Sequence, residues 1–327
     1  MPILSGHEAS AVHEAAALLA AGELVAFATE TVYGLGARAD DEEAVARIFA
    51  AKGRPADHPL IVHVADDGMV PTFAAEIPPS ARRLMAAFWP GPLTLILPRR
   101  AGVAAAAAGR QDSIGLRLPS HPVARALLRE AALLGVAGVA APSANRFGRV
   151  SPTRAEHVRD EFGSALVVLD GGASEVGIES TIVDCTRSEP ALLRPGQLGR
   201  DAIEAVLGRP LAAPDASSPR ASGTLASHYA PAAPVVLFDG GVASCHPWAA
   251  GGAGPAGVVA VYSRVAPPAG SAWLHRAMPA DAAAVAHELF AVLRDFDAAG
   301  ASVIWAELPP PGTVWDGVRD RLQRAAA

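Results

Sequence analysis

The chain has 327 residues, of which 51% are hydrophobic and only 5% aromatic, so it is long enough for one large domain or two ordinary ones. Its formal net charge of −6 argues against a protein that binds nucleic acid mainly through phosphate contacts. Among its 27 cationic side chains only Lys52 is a lysine, and no Gly-Lys-Ser/Thr sequence occurs, which excludes a P-loop NTPase.

The N-terminal part alternates helical and strand patterns. An alanine-rich helix is predicted over 8–21 and a buried strand over 24–29, and a second helix begins near Asp40, with Glu43 completing a capping box, and ends at Lys52. Such alternation with near-continuous apolar strands predicts an α/β sheet that helices cover on both faces. Further strands are predicted over 60–64, 93–97, 115–119, 135–141, 165–170 and 180–185.

The composition changes after residue 210. Residues 211–234 are rich in Pro, Ser and Ala without a period, which predicts a linker between a catalytic domain over 1–210 and a small α/β domain over 235–327. The predicted elements of the small domain are strands over 235–238, 258–263 and 303–308, helices over 281–299 and 314–325, and a mobile loop over 240–257.

The compartment is predicted from what the sequence lacks. Cys185 and Cys245 are isolated, so no disulfide framework or cysteine-based zinc site is expected. No apolar run reaches 18 residues without a charge or turn former, and the first ten residues do not resemble a signal peptide. We therefore expect a cytoplasmic protein that does not contact membranes.

Two motifs with chemical potential follow early strands. In TETVYGLGAR (29–38), alternating hydroxyls share one face of an extended chain, and the glycines either form a plain turn or let the backbone approach a ligand. In KGRPADHPLIVHV (52–64), Lys52 and Arg54 precede a proline-stiffened loop and could clamp a polyanion, although a helix C-terminus also favours cations for structural reasons. His63, on the next strand, could serve as a neutral donor or as the partner of a carboxylate.

Three later motifs add polar groups at strand ends. Arg117 lies inside an apolar strand and must either form an internal ion pair or bind a ligand carboxylate. In APSANRFGRVSPT (141–153), short hydroxyl and amide groups suit phosphate or ribose, while Ser151 followed by proline would also cap a helix. GIESTIVD (177–184) and LLRPG (192–196) contribute Ser180 and Arg194. With no catalytic triad or carboxylate pair, this set favours an enzyme that positions a nucleotide and an amino-acid-like carboxylate.

These motifs, in this order and spacing, resemble the YrdC-type threonylcarbamoyl-AMP synthases over roughly residues 10–205. The sequence HYAP at 228–231 and the trailing domain resemble the long, two-domain form of that family. The resemblance implies a twisted, open, mixed sheet with helices on both faces and a smaller Rossmann-like C-terminal domain.

The resemblance also implies a reaction: L-threonine, bicarbonate and ATP, the last with Mg²⁺, give L-threonylcarbamoyl-adenylate and pyrophosphate. Partner proteins then transfer the threonylcarbamoyl group to adenosine 37 of tRNA, which allows weak contact with tRNA. No protein metal site is expected.

Site residues are carried over by position. The expected catalytic residues are Lys52 and Arg54. The expected ATP contacts are Arg54, His58, Ser113, Ser143, Asn145, Ser151, Arg194 and Tyr229. The expected threonine contacts are Thr31, His63, Arg117, Ala141 (through its backbone) and Ser180.

Two departures and two alternatives accompany this assignment. His58 stands where family members usually have Asn, and the segment before HYAP lacks the basic residues often found there. One alternative is a double-stranded RNA or tRNA-binding module of the same fold without turnover. The other, a carbamoyl-adenylate enzyme of hydrogenase maturation, would need an acylphosphatase domain and zinc-finger cysteines that this chain lacks.

Overall fold

The computed structural model describes residues 3–241 and 257–327, and these form two compact units. The first unit extends to Phe147 and resumes over Ser151–Thr224, whereas the second comprises Gly148–Val150 and Leu225–Ala327. The division at Thr224 falls inside the predicted linker, where the chain has neither helix nor strand. Most of the predicted loop, residues 242–256, lies outside the described residues.

The first unit contains one mixed sheet with helices packed against it. Its strands are β1 (Ile3–Ser5), β2 (Val25–Phe27), β3 (Gly34–Arg38), β4 (Ile61–His63), β5 (Leu93–Pro98), β6 (Ser113–Arg117), β7 (Val139–Ala140), β8 (Val167–Asp170), β9 (Thr181–Asp184) and β10 (Ala191–Arg194). Its helices are α1 (Ala9–Ala20), α2 (Glu42–Lys52), α3 (Val70–Phe73), α4 (Pro79–Phe88), α5 (Pro122–Leu133), α6 (Ala155–Phe162) and α7 (Arg200–Leu207).

The strands are hydrogen-bonded in the order β1-β8-β2-β3-β7-β4-β6-β5-β9-β10. Pairing is parallel for β4 with β6 and for β5 with β9, and antiparallel for β7 with β4 and β6 with β5. This mixed pairing confirms the predicted fold class for the first unit. Buried apolar residues lie on both faces: α1 and α5 cover one face near β2 and β7, while α2, α4 and α7 contribute to the core on the other.

Local sequence explains where α2 begins and ends. The Asp41 side chain, rather than that of Asp40, accepts hydrogen bonds from the backbone amides of Glu43 (2.9 Å) and Ala44 (3.0 Å), so the predicted cap was wrong by one residue. Gly53 ends the helix with φ +62°, a conformation that glycine adopts without a steric penalty.

The structure differs from the sequence analysis at three places: two structural alternatives are not seen, and one predicted strand is shorter. The glycines of TETVYGLGAR lie in strand β3 rather than a turn, because a Cβ at Gly36 would come within 2.9 Å of the Phe27 ring and the Val139 side chain. The strand expected over 135–141 is reduced to Val139–Ala140. Ser151 does not cap a helix, since α6 begins later, after Arg154.

The second unit contains a separate, wholly parallel sheet. Its elements are β11 (Val235–Phe238), β12 (Val258–Ser263), β13 (Leu274–Ala277), α8 (Ala282–Ala298), β14 (Ala301–Glu307) and α9 (Asp316–Ala325). The strand order is β11-β14-β12-β13. The second predicted domain therefore has the expected α/β character, with one strand, β13, that the sequence did not indicate. Within residues 3–241 and 257–327, no helix has both the length and the apolar character needed to cross a membrane.

Candidate active site

Several predicted site residues on the strands of the first unit lie on one face of its sheet. Alternation along a strand places Ser113 and Arg117 of β6 on the same face, and the strand register sets Arg117 beside His63 of β4. Ala141 follows β7, and its backbone amide donates to the carbonyl of Ile61 at 2.9 Å. The sheet therefore brings together residues that lie far apart in sequence.

Arg117 forms an internal ion pair. Its Nη2 lies 2.7 Å from Oε1 of Glu30, its Nη1 donates to Thr31 Oγ1 at 2.9 Å, and its Nε donates to the Gly91 carbonyl at 3.3 Å. Burial disfavours the charged carboxylate of Glu30, but the charge and hydrogen bond of Arg117 outweigh it and hold the Glu30 pKa below its usual value. The structure thus shows the ion pair, while the carboxylate-binding role of Arg117 stays a prediction.

His63 is a buried neutral imidazole. Its residue surface is only 3% exposed, and burial, reinforced by the charge of Arg117, lowers its pKa to about 3. Its ring meets Phe27 edge-on, with 6.2 Å between centroids. Nδ1 has no hydrogen-bond partner among the described residues, which is unusual for a buried polar atom. A bound ligand is one explanation for such an atom.

Ser180 and Arg194 border the same face. Ser180 Oγ is 2.8 Å from Thr94 Oγ1, and the Arg194 guanidinium donates through Nε (3.1 Å) and Nη2 (2.9 Å) to the Ser180 carbonyl. Arg194 also donates from Nη1 to the carbonyl of Ser222 at 2.9 Å. The buried guanidinium of Arg194 is therefore fixed between the start of strand β9 and the segment that follows α7.

Lys52 is buried and holds a loop. Its Nζ donates to the carbonyl of Ser143 at 2.6 Å and to that of Asn145, and its own carbonyl accepts from the amide of Phe147 at 2.8 Å. Burial, followed by the nearby charge of Arg54, lowers the Lys52 pKa well below its ordinary value. The side chain thus shapes the loop that carries two predicted nucleotide contacts.

Ser151 and Asn145 are held by hydrogen bonds of their own. Ser151 is fully buried and its hydroxyl donates to Glu179 Oε1. Asn145 donates from Nδ2 to the Arg146 carbonyl at 2.7 Å, while its amide donates to the Ser143 carbonyl at 3.0 Å. Glu179 thus joins the predicted site, although the sequence analysis assigned it no role.

Arg54, Ser113 and Arg194 lie beneath residues 220–222. Arg54 Nη2 donates to the Pro59 carbonyl at 2.8 Å and to Ser222 Oγ at 3.3 Å. The cavity beside Ser113 measures only about 10 Å³, and Arg220, Ala221 and Ser222 are among the residues that line it. We name residues 215–222 the strap; it covers part of the predicted nucleotide site.

His58 borders the strap and the loop. Its ring contacts Phe147 with 5.5 Å between centroids, and burial, aided by the charge of Arg54, lowers its pKa. The imidazole is therefore mainly neutral at pH 7.

Tyr229 belongs to the second unit. Its side chain is fully buried and packs against Phe290 (5.4 Å between ring centroids) and under Arg321, whose guanidinium carbon lies 5.1 Å from the ring centre. Its φ of +63° fixes an unusual backbone conformation. The structure places this side chain in a hydrophobic core, so its expected ATP contact stays a prediction that would require the side chain to leave that core.

Sequence reasoning missed the two carboxylates of the site. Glu30 lies inside the motif TETVYGLG and Glu179 inside GIESTIVD, and neither residue is more than 7% exposed. An acidic residue among apolar and hydroxyl residues at a strand end was the available signal, since buried carboxylates require partners.

Taken together, the fold and site define a two-unit α/β protein whose first unit gathers buried polar and charged side chains beside one mixed sheet. The chain belongs to the Sua5, YciO and YrdC family, since the family model described as "Telomere recombination" matches residues 17–196. A second family model, "Threonylcarbamoyl-AMP synthase, C-terminal domain", matches residues 198–327. The family recognised from the motifs is confirmed.

Relatives and solved structures agree. The chain is 46% identical over 232 residues to the threonylcarbamoyl-AMP synthase of Pyrococcus abyssi, covering 69% of this chain and 67% of that protein. Identity to the Bacillus subtilis protein of the same name is 44% over 236 residues, covering 70% and 67%. The crystal structure of P. abyssi Sua5 complexed with L-threonine matches with a TM-score of 0.87 and 37% identity, covering 98% of this chain and 95% of that one.

Proposed function

We propose that the protein is a threonylcarbamoyl-AMP synthase. The reaction joins L-threonine, bicarbonate and ATP to give L-threonylcarbamoyl-adenylate, pyrophosphate and water. The observation that carries the proposal is the 44–46% identity, across about two thirds of the chain, to two proteins of that name. The L-threonine in the solved P. abyssi relative supports the choice of amino acid.

The threonine half of the site is assigned to the group around Arg117. Thr31 contacts this guanidinium and His63 lies beside it on the neighbouring strand, and the five N–H groups of Arg117 exceed the three contacts described. Ala141 and Ser180 remain proposed threonine contacts. We infer that the remaining N–H groups of Arg117 donate to the threonine carboxylate, while Glu30 fixes the orientation of the guanidinium plane. Neutral His63 would offer its unpartnered Nδ1 to the substrate without adding charge.

The nucleotide half is assigned to the residues around the Lys52 loop and the strap. The threonine amine first forms a carbamate with bicarbonate, and a carbamate oxygen then attacks the α-phosphorus as pyrophosphate leaves. Both reactants are anionic, so the guanidiniums of Arg54 and Arg194 would neutralise charge and hold the groups in line. The other proposed ATP contacts are Ser113, Ser143, Ser151, Asn145 and His58.

Lys52 would act mainly through the loop. Its ammonium already donates to two backbone carbonyls, so its contribution to catalysis is to set the positions of Ser143 and Asn145. A direct phosphate contact would use its third donor.

Magnesium would enter with the nucleotide. Among the described residues, no group of three or more His, Cys, Asp or Glu side chains could hold a metal ion alone. Mg²⁺ in nucleotide sites usually takes one or two carboxylates plus phosphate oxygens, so most of its ligands would come from the nucleotide and from water. The ion would supply charge neutralisation on the phosphates.

The remaining parts of the proposal concern the product. A carbamoyl-adenylate is reactive, so we propose that partner proteins in the cytoplasm transfer the threonylcarbamoyl group to tRNA. The comparisons do not favour an RNA-binding module without turnover.

The test is substrate dependence. Purified protein with threonine, bicarbonate, ATP and Mg²⁺ should release pyrophosphate and form threonylcarbamoyl-adenylate, identified by mass, only when all three substrates are present. Arg117→Ala should abolish both signals, whereas Arg129→Ala, at an exposed position of α5, should not. Pyrophosphate release without threonine would contradict the proposal.

A further inference from the structure

A cavity of about 450 Å³ lies at the carboxyl edge of the parallel sheet in the second unit. Asp239, Arg264 and Leu308, which directly follow β11, β12 and β14, line it. These are three neighbouring strands, so their ends converge at one place. In open parallel α/β sheets, ligands bind at this edge, and the volume is within the usual range for small-molecule sites.

The edge is built around a buried ion pair. The Glu307 side chain is 2% exposed, and its carboxylate accepts from the backbone amide of Arg264 at 2.6 Å and from Arg264 Nε at 2.8 Å, with Nη2 also in contact. A Cβ at Gly240 would collide with this carboxylate, so the turn after β11 closes over the pair only because residue 240 is glycine. The pair thereby fixes the orientation of the Arg264 guanidinium.

Two cationic side chains line the cavity with donors to spare. Arg264 is 35% exposed, and its Nη1 has no partner within the part of the chain that the structure describes. Arg319, in the first half of α9, also lines the cavity, and its side chain donates to a single partner among the described residues, the Pro309 carbonyl, from Nη1. The carboxylate of Asp239 also lines the cavity, and its Oδ1 accepts from the Gly241 amide at 2.9 Å.

We propose that this cavity binds a small organic phosphate that also carries hydroxyl groups, such as a nucleoside monophosphate. The two guanidiniums are suited to phosphate oxygens, and the second oxygen of Asp239 can accept from hydroxyls. Leu237, Phe238 and the Pro309–Pro311 segment supply the apolar wall that a base or other ring would contact. The site is independent of the reaction assigned to the first unit.

The test uses AMP as the probe and reads each arginine separately. The full chain is treated with phenylglyoxal, and the modification rates of Arg264, Arg319 and Arg276 are followed by peptide mass spectrometry. Arg276 is an exposed arginine of β13, 3.5 Å from Asp295, and serves as the internal control. Millimolar AMP should slow modification of Arg264 and Arg319 at least about threefold and leave Arg276 unchanged, whereas adenosine should protect none of them.

A matched pair of variants separates specific binding of AMP in the cavity from a general effect of its charge on arginine modification. In Arg319→Gln, AMP should no longer protect Arg264, while Arg276→Gln should leave the protection of Arg264 and Arg319 intact. Both variants should retain the wild-type circular dichroism spectrum. Failure of AMP to protect either cavity arginine, or equal slowing at Arg276, would overturn the proposal.

Discussion

At the scale of single residues, Lys52 shows why one lysine stands in a chain that otherwise uses arginine. Lys52 lies beneath the Ser143–Asn145 loop and is 3% exposed, and its compact ammonium donates to two backbone carbonyls. A planar guanidinium is larger and directs its donors differently, so it cannot make the same two contacts without moving the loop. The sequence indicated that Lys52 was special, but not that its partners were backbone oxygens.

Lys52→Arg should therefore lower the rate of threonine-dependent pyrophosphate release at least about tenfold, which corresponds to 1.4 kcal/mol of transition-state stabilisation. The larger side chain should also lower the free energy of unfolding by about 1–3 kcal/mol. Arg83→Lys, the reverse exchange at an exposed position of α4, is the control and should change neither quantity. Full activity of Lys52→Arg would show that the loop does not depend on the ammonium.

His63 links pH to stability. Its pKa is about 3 in the folded protein and about 6.5 when exposed, so below pH 6.5 the unfolded chain binds a proton that the folded chain does not. This contribution to stability is present above pH 6.5 and declines as the pH falls toward 3. Between pH 7 and pH 5 it should remove about 2 kcal/mol.

The measurement compares urea unfolding of the wild type and His63→Leu at the two pH values. Leucine does not titrate, so the variant should lose about 2 kcal/mol less than the wild type on acidification. The other histidines are common to both proteins and cancel in the difference. An equal loss in both would show that His63 is protonated in the folded state.

The residues of the site were predictable as types but not as pairs. Arg117 had to be paired or face a ligand, and the sequence could not choose because Glu30 is 87 positions away and reaches it only through the pairing of distant strands. The link between Ser151 and Glu179 has the same origin. Sequence motifs thus identify which groups a site contains, whereas the sheet determines which groups touch.

At the scale of elements, the strap is held by polar contacts along its length. Arg187 bonds Asp215 at 2.8 Å and Ser217 at 3.1 Å, while Arg220 bonds Asp57 at 2.7 Å and its backbone exchanges hydrogen bonds with the Gln111 side chain. Ser222, at the end of the strap, accepts a hydrogen bond from Arg54 through its hydroxyl oxygen and one from Arg194 through its carbonyl. Because most of these contacts are exposed, the strap should release more readily than the sheet beneath it.

Arg220→Glu should therefore loosen the strap without unfolding the first unit, because the new carboxylate repels Asp57. Limited proteolysis within 211–224 should accelerate several-fold, and high salt should reduce the difference between variant and wild type. Arg129→Glu makes the same charge change on the exposed surface of α5 and should leave cleavage unchanged. Unchanged cleavage in Arg220→Glu would mean that other contacts suffice to hold the strap, such as the packing of Ala221 against the apolar cluster that contains Ile61 and Ile96.

Long apolar elements were predicted better than short ones. The helix expected over 281–299 is α8 within two residues, because its repeated apolar face and Asp281 cap are local signals. Strands β1 and β13 have only three and four residues, which is too short for a pattern to be recognised, and every residue of β13 is exposed. Strand β3 was hidden because its glycines, which usually signal a turn, serve close packing against Phe27.

At the scale of the whole molecule, each unit has its own buried aromatic residues. Phe73 is fully buried in the first unit and Phe290 in the second, where it packs against Tyr229. Two cores with separate sheets favour separate unfolding reactions, since no strand of one sheet pairs with the other among the described residues.

Phe290→Ala should lower the free energy of unfolding of the second unit by about 3–5 kcal/mol through lost burial and the cavity left behind. Hydrogen exchange followed by mass spectrometry should then show faster exchange in α8 and β14, with β5 and β6 unchanged. Phe73→Ala should give the reverse pattern. If either substitution accelerates exchange equally in both sheets, the two units unfold as one cooperative structure, and the stability of the second unit would then control that of the active site.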